Sequence, residues 1–65
     1  MTVAIPTEMM DKDGNLLAIE FYDELGGHII DAVWDDADPQ DALHRAKFRT
    51  WVYQMLEAKG YNVKL

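Results

Sequence analysis

The 65-residue chain contains no cysteine and no serine. The first absence excludes disulfide staples and thiolate metal sites and fits a reducing compartment. With serine missing too, the remaining nucleophile candidates are Thr2, Thr7 and Thr50, and none has a neighbouring base arrangement to activate it. Long apolar runs are also lacking. No stretch nears the roughly 20 residues of a membrane span, and the opening MTVAIPTEMM has no basic segment of the kind that begins a secretory signal. These features predict a soluble cytoplasmic protein with no membrane partner. Positive charge is scarce over most of the chain. Eleven of the twelve carboxylates fall in residues 1–41 beside one base, Lys12, for a formal charge of −10. Residues 42–65 hold five bases and one acid, for +4, and the whole chain carries −6. Charge this uneven bears on the choice of partner more than on the fold.

What is present is apolar side chain: 49% of the residues, including seven aromatics. That is too much for a disordered acidic tail, so residues 1–65 read as one small folded domain with a thin core. Period-two alternation predicts a strand over residues 15–23, with Leu17, Ile19 and Phe21 on one face, and another over residues 28–35, with Ile30, Ala32 and Trp34 on one face. Gly26 and Gly27 between them predict an antiparallel hairpin, and Glu20, Asp31 and Asp35 then point outward. In the run Asp38-Pro39-Gln40-Asp41, an acid at the N-cap, proline at the first helical position and a second acid at N3 predict a helix over residues 39–59, closed by Gly60. Its apolar sector is Phe48, Trp51, Val52, Met55 and Leu56. Residues 2–5, ended by Pro6, and residues 61–65 are candidate edge strands. The predicted class is α+β, of order (β)ββα(β), with the single C-terminal helix covering one sheet face.

Motifs for chemistry are sparse. Asp11, Asp13, Gly14 and Glu20 stand at the third, fifth, sixth and twelfth places of a calcium loop, but Met9 occupies the first and Leu17 the ninth, so a plain turn accounts for them better. His28 and His44 are far apart in sequence, each without a ligand set, and the four glycines are scattered rather than gathered in a phosphate-cradling loop. A paired-carboxylate site needs a deep cleft, for which this length leaves little room. The expectation is therefore no enzyme, no catalytic residue, no metal and no cofactor.

The acids Asp31, Asp35, Asp36, Asp38 and Asp41, joined across the hairpin by Glu20, Asp23 and Glu24, form a string that can stand at spacings similar to successive phosphates, while Asp38 and Asp41 also serve as helix caps and Asp23 and Glu24 flank a turn. In its short cysteine-free chain, hairpin-plus-helix plan and exposed Glu20, Asp31, Asp35, Asp36, Asp38 and Asp41, the protein resembles the small acidic inhibitors that bacterial viruses direct at host defences. That class includes anti-CRISPR and DNA-mimic anti-restriction proteins. The resemblance implies stoichiometric binding, without direct nucleic-acid contact, to a basic surface on a host protein or ribonucleoprotein complex, with Tyr22 and Trp34 as candidate anchors for affinity. Two other readings compete. One is a homodimeric regulatory or scaffold module sharing Phe48, Trp51, Val52, Met55 and Leu56 between subunits. The other is a DNA-binding accessory protein using Arg45 and Arg49, which lie four apart on one helix face.

Overall fold

The computed structural model describes residues 2–65. Four strands and one helix follow in the order β1 (Thr2–Met10), β2 (Leu16–Tyr22), β3 (His28–Val33), α1 (Ala42–Ala58) and β4 (Tyr61–Val63). The sheet order is β3-β2-β1-β4, with β4 parallel to β1 and the other pairs antiparallel. The fold is α+β with one helix on one sheet face, and both expected edge strands join the sheet. Because β3 and β4 lie at opposite edges, α1 must cross the sheet to connect them. A 17-residue helix, at about 1.5 Å per residue, is long enough to do so. It is not long and apolar enough to cross a membrane.

Pro6 does not end the first strand, which runs on to Met10. The last bond to the β4 side runs from Lys64 N to Ala4 O at 2.9 Å, so by alternation the nitrogen of residue 6 faces the place where β4 has already stopped. Proline lacks a donor only where none is called for, and its pairing with Phe21 of β2 survives.

Two bulges decide which side chains reach the core. Met9 pairs with Ala18 but Met10 with Leu16, leaving Leu17 as an extra residue in β2. The strict alternation expected for Leu17, Ile19 and Phe21 therefore breaks: Leu16 is buried with Ile19 and Phe21, and Leu17 is turned out, 47% exposed. In β3, Phe21 pairs with Ile30 and Tyr22 with His28, so Ile29 is the extra residue and packs partly against the core. The core itself is Ala4, Leu16, Ile19, Phe21, Trp34, Val52 and Leu56. Tyr53 meets Phe21 edge-on with ring centroids 6.1 Å apart, and Phe48 meets Trp34 at 4.9 Å. Of the expected helix sector, Val52 and Leu56 are buried and Phe48 packs on them, whereas Trp51 stands out of the core at 57% exposure.

The helix begins three residues later than the run Asp38-Pro39-Gln40-Asp41 predicts. Asp41, not Asp38, is the N-cap: its backbone is extended and its Oδ1 accepts from His44 N at 2.8 Å. Asp38 instead donates its backbone N–H to Asp35 O. Gln40 explains the shift. Its side-chain amide accepts from Leu16 N at 3.0 Å and donates to Leu16 O at 2.9 Å, the two bonds a neighbouring strand would supply. Held to the sheet, Gln40 lies outside the helical spiral, and the second aspartate takes the capping role. At the far end Gly60 has the left-handed φ of +98° expected of it.

Trp34, expected on the binding face, is 5% exposed and belongs to the core. Its indole N–H is buried without a partner among the described residues. Trp34→Ala should cost about 3–5 kcal/mol, most of the stability of a chain this short. Trp34→Phe removes the orphaned donor along with one ring, and its expected cost is below about 2 kcal/mol. Urea unfolding of the two variants checks the order, and equal costs would show that a benzyl group recovers none of the packing the indole supplies.

Candidate protein-binding face

One helix cannot cover both sides of a four-stranded sheet, so the side away from α1 is bare. Strand pairing places Thr7, Glu20 and Asp31 in one row across that side, with Met9, Ala18 and Val33 on one flank and Ile5, Tyr22 and His28 on the other. Glu20 and Asp31 are thus direct cross-strand neighbours, and by the alternation of the ladder theirs is the closer, non-hydrogen-bonded kind of pair. Like charges so placed repel. Each carboxylate has a hydrogen-bonding neighbour: Tyr22 donates its hydroxyl to Glu20 at 2.7 Å, and His28 Nε2 lies 2.7 Å from Asp31 Oδ1. The Tyr22 and His28 rings stack edge-on at 5.6 Å, completing a polar cluster on the sheet. The hydrogen bond to Glu20, with some burial, raises the Tyr22 pKa above its ordinary value.

The remaining acids divide by task. Asp11, Asp23, Asp35 and Asp41 each accept backbone N–H groups two to four residues ahead, at 2.8–3.0 Å. These bonds depress the pKa of Asp11, chiefly through Asn15 N–H, and of Asp41, chiefly through His44 N–H. Asp23 shows how tightly such a cap is set: a Cβ on Gly27 would stand 2.6 Å from its Oδ2, so a larger residue there displaces the capping carboxylate. The calcium-like stretch is likewise a hairpin turn organised by Asp11, and no group of three or more His or acidic side chains among the described residues is arranged to hold a metal. Asp35, Asp36 and Asp38 are exposed on the loop between β3 and α1, continuous with Asp31 on the strand that leads into it.

Among the described residues only one carboxylate meets a lysine or arginine. Glu8, which shares the helix-facing side of β1 because it pairs with Ile19, receives a two-pronged bond from Arg49, with Nη2 to Oε1 at 2.8 Å and Nε to Oε2 closer still. Arg49 is therefore engaged within the fold and does not stand beside Arg45 as a free phosphate-binding pair. Phe48, Val52 and Leu56 are spent on the core, so Trp51 and Met55 are what the helix sector retains for a partner.

These two, with Lys59, face Ile30 and Ala32 across a groove of about 190 Å³ between α1 and β3. Of the residues singled out from the sequence, Asp31, Asp35, Asp36, Asp38 and Asp41 are exposed and Glu20 and Tyr22 half-buried, and sequence reasoning missed this groove. Its signal was the excess of helix apolar width over what one sheet face needs. Comparison with protein-family models, curated proteins and solved structures finds no match to this chain.

Glu20→Gln keeps an acceptor for Tyr22 and removes the repulsion with Asp31; the expected gain is about 0.2–1 kcal/mol, read by urea unfolding. A loss of stability would mean that Glu20 is favourably solvated despite Asp31. The Arg49 bond lowers the pKa of Glu8 below its ordinary 4.5. Its stabilising contribution is therefore full above that value and is lost as pH falls through the lower folded value. Between pH 6 and 3, Glu8→Gln should flatten the acid loss of melting temperature, and an unaltered profile would assign that loss to the capping aspartates.

Proposed function

We propose that this chain is a stoichiometric protein-binding inhibitor, of the kind bacterial viruses deploy in the host cytoplasm, which covers a basic nucleic-acid-binding or effector-docking surface of a host defence complex. The supporting observation is the disposition of charge. Asp31, Asp35, Asp36 and Asp38 lie along one continuous strand-and-loop segment, exposed and unpaired with lysine or arginine among the described residues, while Glu20 adds to the row on the bare sheet. Tyr22 on the same side supplies a partly buried aromatic edge, and Asp41 stands at the helix entry. Charge of this kind sets association rate and register, and apolar contacts beside it supply the affinity. Such an inhibitor acts by occupancy and carries out no reaction.

The homodimer reading keeps one observation in its favour, the exposed Trp51 and Leu43 on α1. Sedimentation at rising concentration separates a dimer from a monomeric inhibitor.

Asparagine can replace the aspartates without undoing the fold, because Asn Oδ1 accepts the same backbone bonds that Asp35 makes. The triple variant Asp31→Asn, Asp35→Asn, Asp36→Asn should melt close to the parent while binding its captured host target more weakly and with a shallower dependence on salt. Retention of that target at full strength by the variant at moderate salt would remove the acidic segment from the binding face.

A further inference from the structure

The free edge of β3 is the feature the acidic segment alone does not explain. Trp34 N donates to Leu17 O, so by alternation Ala32 also turns its N–H and C=O toward β2, whereas Asp31 and Val33 turn theirs outward. Among the described residues no strand lies beyond, since β3 ends the sheet. Exposed edges of this kind are blunted in most proteins by shortness, proline or lysine. The other side of this sheet shows such devices: β4 has three residues and is followed by Lys64, and past its end β1 presents Pro6. β3 has six residues with neither proline nor lysine. Immediately beside it lies the groove between β3 and α1, and an apolar cavity of about 150 Å³ is enough to hold a benzene-sized group.

From these positions we infer that β3 receives an extended segment of a partner protein as a fifth strand, and that this segment alternates basic and apolar side chains. A strand hydrogen-bonded to Asp31 and Val33 sends alternate side chains to opposite faces. On the helix side they meet Ile30, Ala32, Trp51 and Met55, and an apolar residue fits. On the bare side they meet Asp31, with Glu20 one strand further in, and a lysine or arginine relieves the repulsion between those two carboxylates. Lys59 borders the groove on the helix side and disfavours basic residues there. A second copy of this chain is the poorer occupant. Antiparallel pairing of two β3 edges sets Asp31 close to its own copy, between bodies of charge −6 each.

The inference rests on reading the chain as a protein-binding module. It stands apart from the acidic-segment test because Val33→Pro removes an outward donor and no charge. The probe is a capped octapeptide of alternating lysine and valine, compared with glutamate–valine and lysine–serine peptides, and read by amide hydrogen exchange and calorimetry on the full chain. The expected result is binding of the lysine–valine peptide alone, with slowed exchange at Asp31 and Val33. Val33→Pro should weaken it roughly tenfold, as should Trp51→Ala. Met55→Lys repeats the test at a side chain without disturbing the strand, should the proline variant fold poorly. Three results overturn the inference: no binding at millimolar lysine–valine peptide, equal binding of lysine–serine peptide, or binding indifferent to a folded Val33→Pro or to Met55→Lys. Protection of the same amides without peptide, together with a doubled mass, gives the edge to a second copy and also overturns it. If the triple asparagine variant loses the host target while folded Val33→Pro keeps it, the acidic segment stands and strand addition falls.

Discussion

A single helix set against a sheet of four strands governs this molecule, because it can bury one face and must leave the other. The seven core residues come from β1, β2, α1 and the residue just past β3, and they gather under the line the helix takes from one sheet edge to the other. Trp34 and Phe48 extend that core toward the helix entry, and Phe21 and Tyr53 thicken its middle. With so little apolar volume available, each local device that fixes a side chain matters. The bulge at Leu17 brings both Leu16 and Ile19 inward, and the Gln40 amide holds the helix entry against the backbone of Leu16. Register and helix placement are thereby tied to one point of the sheet.

Aspartate does much of the remaining structural work, and this explains a charge balance that would otherwise look purely functional. Four aspartates organise the two hairpin turns, the β3–α1 loop and the helix start by accepting backbone donors ahead of them. Asparagine would make the same bonds, so capping accounts for the residue shape at those places but not for the charge. Glu20 and Asp31 show the difference most clearly. They oppose each other on an exposed surface, an arrangement with an energetic cost and no capping duty. Charge maintained against its own repulsion is better evidence of a cationic partner than charge that merely closes a turn.

The sequence made the class of fold legible because its strongest signals were local. Two glycine turns, the pair of strands that follow them and the close of the helix at Gly60 all stand where residue chemistry predicts. The helix start was ambiguous for a physical reason: Asp38 and Asp41 are both competent caps, and the deciding contact, Gln40 with Leu16, spans 24 positions. Leu17 and Trp34 were misjudged in related ways. A bulge breaks strict alternation without leaving a mark in composition, and an aromatic at the end of a strand reads the same whether it faces solvent or a helix. None of the acidic residues is buried, because carboxylates seldom enter a core this thin, although Glu20 is half-covered by its neighbours on the sheet. The β3 edge and its groove depended on strand order, which period-two patterns do not encode.

Charge and the open edge solve one problem together. A six-residue strand with outward backbone groups and an apolar groove beside it invites its own copies, since every molecule carries the same surface. Lysine or proline would remove that hazard by closing the edge to all comers. Asp31 acts differently, because repulsion falls on a like-charged strand and turns to attraction for a basic one. The net charge of the whole chain extends the same selection beyond contact distance, within a Debye length of about 8 Å at physiological salt. An acidic edge therefore opposes strand pairing with its own copies while leaving its backbone donors available. That combination explains why a chain with so small a core tolerates a bare sheet face and an unprotected strand.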